Sequence, residues 1–470
     1  MAASATPHRL ALVLRPPPPS SSSLSGDGVF LLSKQRRPPK FGEEEYDSFV
    51  DSDLWDLPNC DLSRGSSGSG RFAVNDVGKV DLSLLDVDSA LIKALAEVDL
   101  EIDDLEGWRY RKSVQEPEFG PGLPITTVFV EGIVVSRIKS LPESCKWLSI
   151  RECLEWLLQV KPGADRIGIL SVLGVIGDSM PRAKFHVPPT LGYQEYPPGV
   201  VNIPMVSKTA PPFSTTNLVV FAPDGSSHDT VEGGFVACGD ALIVDPGCKS
   251  QHHEELGEIV ATLPRKLVVF VTHHHGDHVA GLSVIQRCSP DAIILAHKNT
   301  IRRIQKDIGS LHYISLSGDE DVIIGGQPLR VIFAPGHTDG HMALLDISTN
   351  SLIVGDHCLG QGSAVLDLDS GGNVADYYNT TYNFMDLSPH AIIPMHGRVN
   401  LWPNNLLCGY LRNRRKREGD ILKAIEAAMN VRVHVEHLAQ LEKLPKGFSM
   451  EAFQESVLES VEKMGKFRTN

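Results

Sequence analysis

The residues with the clearest chemical potential lie in one short stretch, Thr272-His273-His274-His275-Gly276-Asp277-His278. It has the pattern His-x-His-x-Asp-His and follows an apolar run at 267–271, which has the length and composition of a buried β-strand. Two imidazoles separated by one residue at a strand end can point at one place, and the Asp and His that follow can reach a second. Imidazole and carboxylate are typical ligands of zinc and similar metals. A histidine-rich surface turn is the alternative interpretation.

Four further apolar runs end in the same way, with a metal-competent side chain beside glycine or proline. In chain order, these runs are followed by Asp245, by His337 with His341, by Asp356 and by His396. A lone histidine at such a place is more often a packed or surface residue. Five such strand ends in one part of the chain instead favour a shared site, because catalytic sites are usually built from loops on a rigid sheet.

This constellation resembles the metallo-β-lactamase superfamily of binuclear metallohydrolases, over about residues 200–410. The resemblance implies an α/β fold, a four-layer αβ/βα sandwich with the metals at one edge of the sheets. Asp245 and His341 would be residues that orient the ligands from behind. The implied ligands are His273, His275 and His337 for the first metal, Asp277, His278 and His396 for the second, and Asp356 as a bridge between them.

Such a ligand set implies hydrolysis. Two dications about 3.5–4 Å apart lower the pKa of a shared water and yield hydroxide near neutral pH. That metal-bound hydroxide would attack a phosphoryl or acyl centre while the metals neutralise the charge on its oxygens. Asp277 would hold the hydroxide as well as ligate, so it is the predicted catalytic residue. The predicted cofactors are two zinc ions, with manganese or iron as alternatives.

The region after His396 resembles one branch of the superfamily, the endoribonucleases typified by lactamase-beta-like protein 2. The resemblance rests on residues 355–362 and 405–425, and it implies a small winged-helix-like domain with helices at 434–441 and 448–461. A cationic cluster in this region would contact the phosphates of RNA, and a solvated helix face is the alternative. The cluster consists of Arg412, Arg414, Arg415, Lys416 and Arg417.

The first functional hypothesis is therefore an endoribonuclease that cleaves single-stranded RNA. The formal net charge of −14 opposes it, because the field of the whole protein would repel RNA. The second hypothesis is a glyoxalase II-like thioesterase or another small-molecule hydrolase. The third is a non-catalytic RNA-binding or scaffold protein. The fold alone does not decide among them.

The first 190 residues are predicted to form a separate domain. Apolar runs at 10–14 and 29–32 predict a β-hairpin, residues 90–102 a helix, and residues 126–138 a pair of strands broken near Gly132. This order resembles a Nudix-type α/β domain. In the place of its signature helix only Glu97 looks retained, and one carboxylate is a poor magnesium site. The domain is therefore predicted to be a non-catalytic, degenerate Nudix-like module.

The predicted organisation is this module at 1–190, a Pro-rich linker at 191–207, a catalytic domain at 208–410 and the winged-helix-like domain at 411–470. The eight cysteines form no Cys-x-x-Cys pair, which indicates free thiols in a reducing compartment. No run approaches the roughly 18 apolar residues of a membrane span. Residues 1–25 have the composition of a transit peptide, but a strand-like run begins among them. The cytoplasm is therefore predicted, with the mitochondrion or chloroplast as alternatives.

Overall fold

The structure is a computed structural model that describes residues 7–17, 28–65, 80–135, 141–180, 185–223, 234–453 and 455. The chain forms two compact units, Met1–Asn405 and Leu406–Asn470. The strands are β1 (His8–Arg15), β2 (Val29–Lys34), β3 (Leu54–Asp56), β4 (Asn59–Leu62), β5 (Leu105–Gln115), β6 (Thr126–Val134), β7 (Cys145–Ser149), β8 (Arg166–Ile167), β9 (Gln194–Glu195), β10 (Val200–Val206), β11 (Thr215–Phe221), β12 (Ala237–Gly239), β13 (Ala241–Val244), β14 (Leu267–Phe270), β15 (Ile293–His297), β16 (His312–Leu316), β17 (Asp321–Ile324), β18 (Gln327–Phe333), β19 (Met342–Asp346), β20 (Ser351–Ile353) and β21 (Ala391–Ile393). The α-helices are α1 (Glu44–Asp47), α2 (Val87–Ala96), α3 (Ile150–Leu158), α4 (Ile169–Ser171), α5 (His253–Thr262), α6 (Gly276–Val279), α7 (Leu282–Cys288), α8 (Lys298–Ile308), α9 (Val374–Asp386) and α10 (Pro403–Gln440).

Strands β9 to β21 form the sandwich half of the larger unit. One of its sheets has the strand order β16-β15-β14-β13-β11-β10-β9, and the other has the order β12-β17-β18-β19-β20-β21. Side chains alternate along β14, so that Val268 and Phe270 pack in the core between the two sheets. Leu267 and Val269 point the other way, into a core that α5, α7 and α8 cover. The predicted αβ/βα sandwich is confirmed.

The topology brings the ends of several strands together. Strands β13, β14, β15 and β16 run parallel, so their carboxyl ends lie at the same edge of the sheet. Asp245 directly follows β13, and His273 lies just beyond β14. In the other sheet β20 and β21 are also parallel, and Asp356 and His396 follow them. The strands that the apolar runs predicted are therefore present, and they end where the site requires.

The predicted linker at 191–207 contributes two strands to the sandwich. Strand β10 pairs antiparallel with β11 along its whole length, from Val200 to Val206, and β9 pairs with β10. The linker prediction is wrong here because prolines concealed a period-two pattern. Val201, Ile203 and Met205 alternate into the core under the helices.

Strands β1 to β8 form the N-terminal half, which has two four-stranded sheets ordered β4-β1-β6-β5 and β7-β2-β3-β8. Val13 and Phe129 of the first sheet pack against Phe30 and Leu148 of the second. Helix α2 covers the opposite face of the first sheet. The predicted hairpin is wrong, because β1 and β2 lie in different sheets. Both strands are largely buried, so each needs partners on both sides, and β1 takes one of them from β6, far along the chain.

Two other predictions for the N-terminal half need correction. Residues 126–134 form strand β6, which Gly132 does not interrupt, and residues 136–138 of the predicted pair lie outside the described residues. A Cβ at Gly132 would lie 2.9 Å from the ring of Trp108, so the glycine makes room for that ring. Helix α2 begins at Val87 and ends at Ala96, before Asp99, whose φ of 56° is incompatible with a continuing helix. The Nudix-like resemblance stays a prediction.

The part of the smaller unit that the structure describes is mainly helical. Helix α10 runs without interruption from Pro403 to Gln440, so the predicted break before a separate helix at 434–441 is wrong. Residues 450–453 are helical, and most of the helix predicted at 448–461 lies outside the described residues. No strand that could form a wing occurs among residues 406–453, and the winged-helix-like arrangement stays a prediction. Of the helices that the structure describes, none combines the length and apolar character needed to cross a bilayer.

Candidate metal centre

Three imidazoles form the first group of candidate ligands. The Nε2 atom of His273 lies 2.9 Å from Nδ1 of His275 and 3.2 Å from Nε2 of His337. His337 Nε2 also lies 3.2 Å from His275 Nδ1. Nitrogens about 2.0–2.1 Å from a tetrahedral zinc ion are separated by roughly 3.4 Å, so this triangle is close to the size that one ion requires.

A second group lies beside the first. His396 Nε2 is 3.4 Å from Asp277 Oδ2, and His278 Nε2 is 3.8 Å from the same oxygen. Asp356 lies between the two groups. Its Oδ1 is 3.4 Å from His396 Nε2 and 3.5 Å from His278 Nε2, whereas its Oδ2 is 4.0 Å from His273 Nε2. The structure thus brings all seven predicted ligands together, with one oxygen of Asp356 toward each group.

The second ring nitrogen of each imidazole is held from behind. His278 Nδ1 lies 2.9 Å from Asp245 Oδ2, and His396 Nδ1 donates to the carbonyl of Thr215 at 2.8 Å. His337 Nδ1 donates to the carbonyl of Val365 at 2.6 Å, and His273 Nδ1 lies 3.0 Å from the hydroxyl of Thr272. Such contacts fix the tautomer and the direction of the free nitrogen, as they do in metal-bound histidines.

The chemistry of this donor set fits divalent cations. His278 Nε2, His396 Nε2 and Asp356 Oδ1 are buried and make no hydrogen bond, although they converge. Buried polar atoms are seldom left in this state unless an ion or water completes them. Burial opposes a charged imidazole at His396, but the carboxylates of Asp356 and Asp277 raise its pKa to about 9. The pocket therefore stabilises positive charge, and we conclude that the two groups could each hold a metal ion.

Asp245 organises the loop that carries the motif. Its carboxylate accepts from the backbone N–H and the hydroxyl of Thr272, at 2.8 and 2.7 Å, besides contacting His278. Asp245 has a φ of 50°, a strained conformation for a residue with a side chain. A Cβ at Gly247 would lie only 1.6 Å from the carbonyl oxygen of Asp277. This close approach explains why glycine follows so soon after Asp245.

Three other histidines near the site do not belong to either ligand group. His341 Nδ1 donates to the carbonyl of Ala334, and its Nε2 accepts from the backbone N–H of Asp356 at 3.1 Å. His341 therefore contacts the backbone of Asp356, and its predicted role of orienting the ligands stays a prediction. His274 contacts the hydroxyl of Ser370 at 3.0 Å. His357 is buried against Tyr377 and points its Nε2 toward Thr381, outside both ligand groups.

Sequence reasoning missed Asp367. Its Oδ2 lies 3.0 Å from Nε2 of His275, so it holds this imidazole as Asp245 holds His278. The backbone N–H of Asp367 also donates to the carbonyl of His337 at 2.9 Å. Asp367 follows no strand, and the only local signal is its position as the cap of a short helical turn, where it accepts from the backbone of Asp369 and Ser370. That signal indicates a turn and carries no information about a metal.

The cationic cluster on α10 differs from its prediction in one respect. Arg412 and Lys416 are exposed and Arg415 and Arg417 are partly buried, but Arg414 is only 9% exposed. A buried guanidinium is poorly placed to meet RNA phosphates, so Arg414 is withdrawn from the predicted contacts. The remaining four stay predictions.

Comparison with known proteins bears on the same residues. Residues 234–396 match the model of the metallo-beta-lactamase superfamily. A Beta-lactamase-like protein 2 homolog from Caenorhabditis elegans is 32% identical over 162 residues, which are 34% of this chain and 51% of the relative. An atrochrysone carboxyl ACP thioesterase from Paecilomyces divaricatus is 29% identical over 211 residues, 42% of this chain and 62% of the relative. The chain thus spans about half to three fifths of these relatives.

Among solved structures, a metallo-beta-lactamase family protein from Thermus thermophilus aligns with 53% of this chain and 96% of its own, at 18% identity and a TM-score of 0.38. The family match begins just before β12 and ends at the last candidate ligand, His396. The match therefore contains all six strands of the second sheet and all seven candidate ligands. The family match therefore lies within the sandwich half, whose two sheets form the αβ/βα sandwich described above.

Proposed function

We propose that the protein is a metal-dependent hydrolase with two divalent ions in its centre. The observation that carries the proposal is the convergence of seven side chains in two groups that share Asp356, with buried donor atoms that no hydrogen bond completes. Zinc is the first candidate, because imidazole and carboxylate suit it, and manganese or iron would be accepted by the same ligands.

When bound, such ions lower the pKa of a water and draw charge from the oxygens of the electrophile. The chain supplies the rest. Burial opposes ionisation of Asp277, but the charge of His278 together with the hydrogen bond and charge of His396 outweighs it and lowers the pKa of Asp277 to about 2. The ionised carboxylate can accept a hydrogen bond from an attacking water and orient it. The buried imidazoles stay in place because their second nitrogens are held, which preorganises the site.

Single-stranded RNA is the substrate predicted from sequence. Its support is the resemblance of the segments around Asp356 and after His396 to the endoribonuclease branch, together with similarity to relatives named beta-lactamase-like protein 2 homologs. Exposed Arg412 and Lys416 would supply phosphate contacts. The formal net charge of −14 and the burial of Arg414 weaken this candidate.

An acyl thioester is the second candidate, and specific observations favour it. A net charge of −14 penalises a small or uncharged substrate far less than a polyanion. Two of the similar proteins are named as carboxyl ACP thioesterases and another as a hydroxyacylglutathione hydrolase. We therefore take a thioester as the first substrate to test, with RNA beside it.

The test compares both substrates on one preparation. The purified protein, loaded with Zn²⁺ or Mn²⁺, is incubated with a labelled single-stranded RNA and with an acyl-glutathione thioester. Asp277→Ala should abolish whichever activity is present, whereas Asp369→Ala, an exposed carboxylate near the site, should preserve it.

The outcomes separate the three hypotheses. Thioester turnover without RNA cleavage supports the thioesterase, and RNA cleavage that disappears in Asp277→Ala supports the endoribonuclease. Metal binding without turnover of either substrate would favour a non-catalytic role. If RNA binds, Arg412→Glu combined with Lys416→Glu should flatten the dependence of binding on salt, since each lost phosphate contact lowers the slope by about one.

A further inference from the structure

A cleft of about 140 Å³ lies next to the metal centre and is lined by both halves of the larger unit. The N-terminal half contributes Phe119, Gly120 and Pro121 among its walls, and the sandwich half contributes Phe213 and Gln361. The cleft is therefore a place where the N-terminal half can touch a substrate.

The cleft is adjacent to a candidate ligand of the second metal. Two of its lining residues, Gly397 and Arg398, directly follow His396 in the chain. The ring of Phe213 lies 5.6 Å from the ring of His396, and the backbone N–H of Gly360 donates to the carbonyl of His396 at 2.7 Å. A substrate with its scissile bond at the metals has this cleft within reach.

Arg398 of the sandwich half contacts both ends of a segment of the N-terminal half. The segment, called the cleft loop, comprises residues 116–123 between β5 and β6. At its start Glu116 forms an ion pair with Nη1 of Arg398 at 3.0 Å. At its end the carbonyl of Leu123 accepts from Nη2 of Arg398 at 3.1 Å. One side chain of the sandwich half thus fixes the position of the whole loop.

Glycines in the walls of the cleft allow close contacts with a neighbouring ring and a neighbouring backbone segment. Gly120 has a φ of 143°, and a Cβ there would lie 2.9 Å from the ring of Phe213. Gly397 has a φ of 93°, and a Cβ there would lie 2.7 Å from Cα of Gly360. Because glycine alone permits both the backbone conformation and the close approach, the width of the cleft is set by backbone and ring contacts.

The cleft offers little charge to a ligand. Among the lining residues that the structure describes, Arg398 is the one cation, and its Nη1 and Nη2 atoms both bond to the cleft loop. The remaining lining residues are glycine, proline, phenylalanine and glutamine. Sites that bind phosphate or carboxylate groups use cations whose N–H groups are not already bonded within the protein. This lining instead suits an uncharged, extended group that can hydrogen-bond to an amide and pack against an aromatic ring.

We propose that the cleft binds the uncharged, amide-containing arm of an acyl thioester, and that the cleft loop makes the N-terminal half a determinant of substrate specificity. The inference rests on the proposed hydrolase function, since the cleft positions the arm while the metal centre acts on the thioester bond. The N-terminal half is then part of the substrate site.

The experiment uses tryptophan substitutions to narrow the cleft from each side, and it compares substrates with and without the amide-containing arm. Pro121→Trp introduces an indole at an exposed position of the cleft loop, and Gln361→Trp does so at an exposed position of the facing wall. Pro39→Trp, at an exposed proline outside the lining residues, is the matched control. The probes are S-acetyl-N-acetylcysteamine, which has an uncharged amide arm, and S-phenyl thioacetate, which has none.

For the first probe, Pro121→Trp and Gln361→Trp should each raise KM at least about tenfold, or 1.4 kcal/mol. For S-phenyl thioacetate, kcat/KM should stay within about twofold, and Pro39→Trp should resemble the wild type with both. An effect of Gln361→Trp alone would remove the cleft loop from the substrate site. Equal losses on both probes, or no change in KM, would overturn the proposal.

A binding measurement keeps this test independent of turnover. The thioether S-ethyl-N-acetylcysteamine cannot be hydrolysed, and its binding to the metal-loaded protein can be followed by ligand-observed NMR. If the wild type hydrolyses neither thioester, the proposed thioesterase fails, but weaker binding of the thioether to Pro121→Trp would still support the cleft. Absence of thioether binding to the wild type, or RNA cleavage whose KM rises in Pro121→Trp, would refute the assigned occupant.

Discussion

Two carboxylates with buried oxygen atoms, one in each half of the larger unit, have opposite surroundings. Asp56 in the N-terminal half accepts four hydrogen bonds, from the N–H groups of Leu57, Leu170 and Ser171 and from the hydroxyl of Ser171. Asp356 in the sandwich half has a buried Oδ1 that accepts none. Its nearest charged neighbours, His278 and His396, point nitrogens toward it from 3.5 and 3.4 Å.

The difference separates structural from functional burial of polar groups. A buried carboxylate costs free energy unless donors compensate it. At Asp56 four donors offset part of this cost, and the group joins β3 to the helical turns at 169–176 and serves the fold. At Asp356 the buried Oδ1 atom lacks such donors. Binding of a cation there would therefore stabilise the folded protein. Substitutions at the two positions should therefore have different consequences.

The largest effect is expected at Asp356. Asp356→Asn removes the charge that both ligand groups share, and it should lower kcat/KM at least about 10³-fold, or roughly 4 kcal/mol. Metal content should fall as well, because an amide is a weaker ligand than a carboxylate. Steady-state kinetics and elemental analysis of the purified variant measure both.

Asp369→Asn is the matched control for this substitution, since Asp369 is exposed and belongs to neither ligand group. It should leave turnover and metal content unchanged. Full metal content with normal turnover in Asp356→Asn would contradict the assignment of the bridge and remove the contrast with Asp56.

Asp56 should make the free energy of unfolding depend on pH. Burial raises its pKa to about 6, from an ordinary value of 3.8. The folded protein then holds the proton more tightly than the unfolded chain. The contribution of Asp56 to stability is therefore complete below pH 4 and is lost as the pH rises through 6, by up to about 3 kcal/mol.

Asp56→Asn tests this sign. The amide keeps an oxygen for the three donors that contact Oδ1 and cannot ionise. Melting temperatures of both proteins, measured in EDTA between pH 4 and 7, should converge at the acid end and separate as the wild type loses stability with rising pH. Parallel curves would show that Asp56 does not titrate in this range.

The two halves also differ in how much of them could be predicted. In the sandwich half the chemistry-bearing residues directly follow apolar runs, so short local patterns located Asp245, the histidine motif, Asp356 and His396. Parallel strands then bring such ends together whatever the details of packing. Asp367 could not be found in this way, because it acts through a contact with His275 across the fold and no strand precedes it.

In the N-terminal half, strands β1, β2 and β6 were predicted but their partners were not, and β3, β4, β5, β7 and β8 were not predicted. The pairing of β1 with β6 joins segments more than 100 residues apart, and nothing in either segment specifies the other. Runs buried on both faces lack the alternation that would fix which side meets the core. The sequence therefore predicts the presence of these strands, whereas their order depends on packing between distant segments.

Asp367 should have a smaller effect than Asp356, because it acts through His275. Asp367→Asn should weaken metal binding about 10- to 100-fold, and turnover should recover at saturating metal. Competition with a chelating dye measures the affinity, and the absorption spectrum of the Co²⁺-loaded protein reports the geometry. Asp369→Asn should change neither quantity. Unchanged affinity in Asp367→Asn would mean that the contact with His275 has no effect on the ion.

The smallest effect is expected at a third carboxylate, Asp51, which connects the two halves. It accepts from the backbone N–H groups of Asn404 and Asn405, at 2.8 and 3.2 Å, and so caps the start of α10 from the N-terminal half. Loss of a helix cap costs about 1 kcal/mol, so Asp51→Ala should lower the melting temperature slightly, beside an unaffected Asp47→Ala control. Metal content and kcat should not change, because both ends of this contact are satisfied without an ion. A loss of metal in Asp51→Ala would show that the junction controls the centre, and the separation between structural and functional carboxylates would then fail at this point.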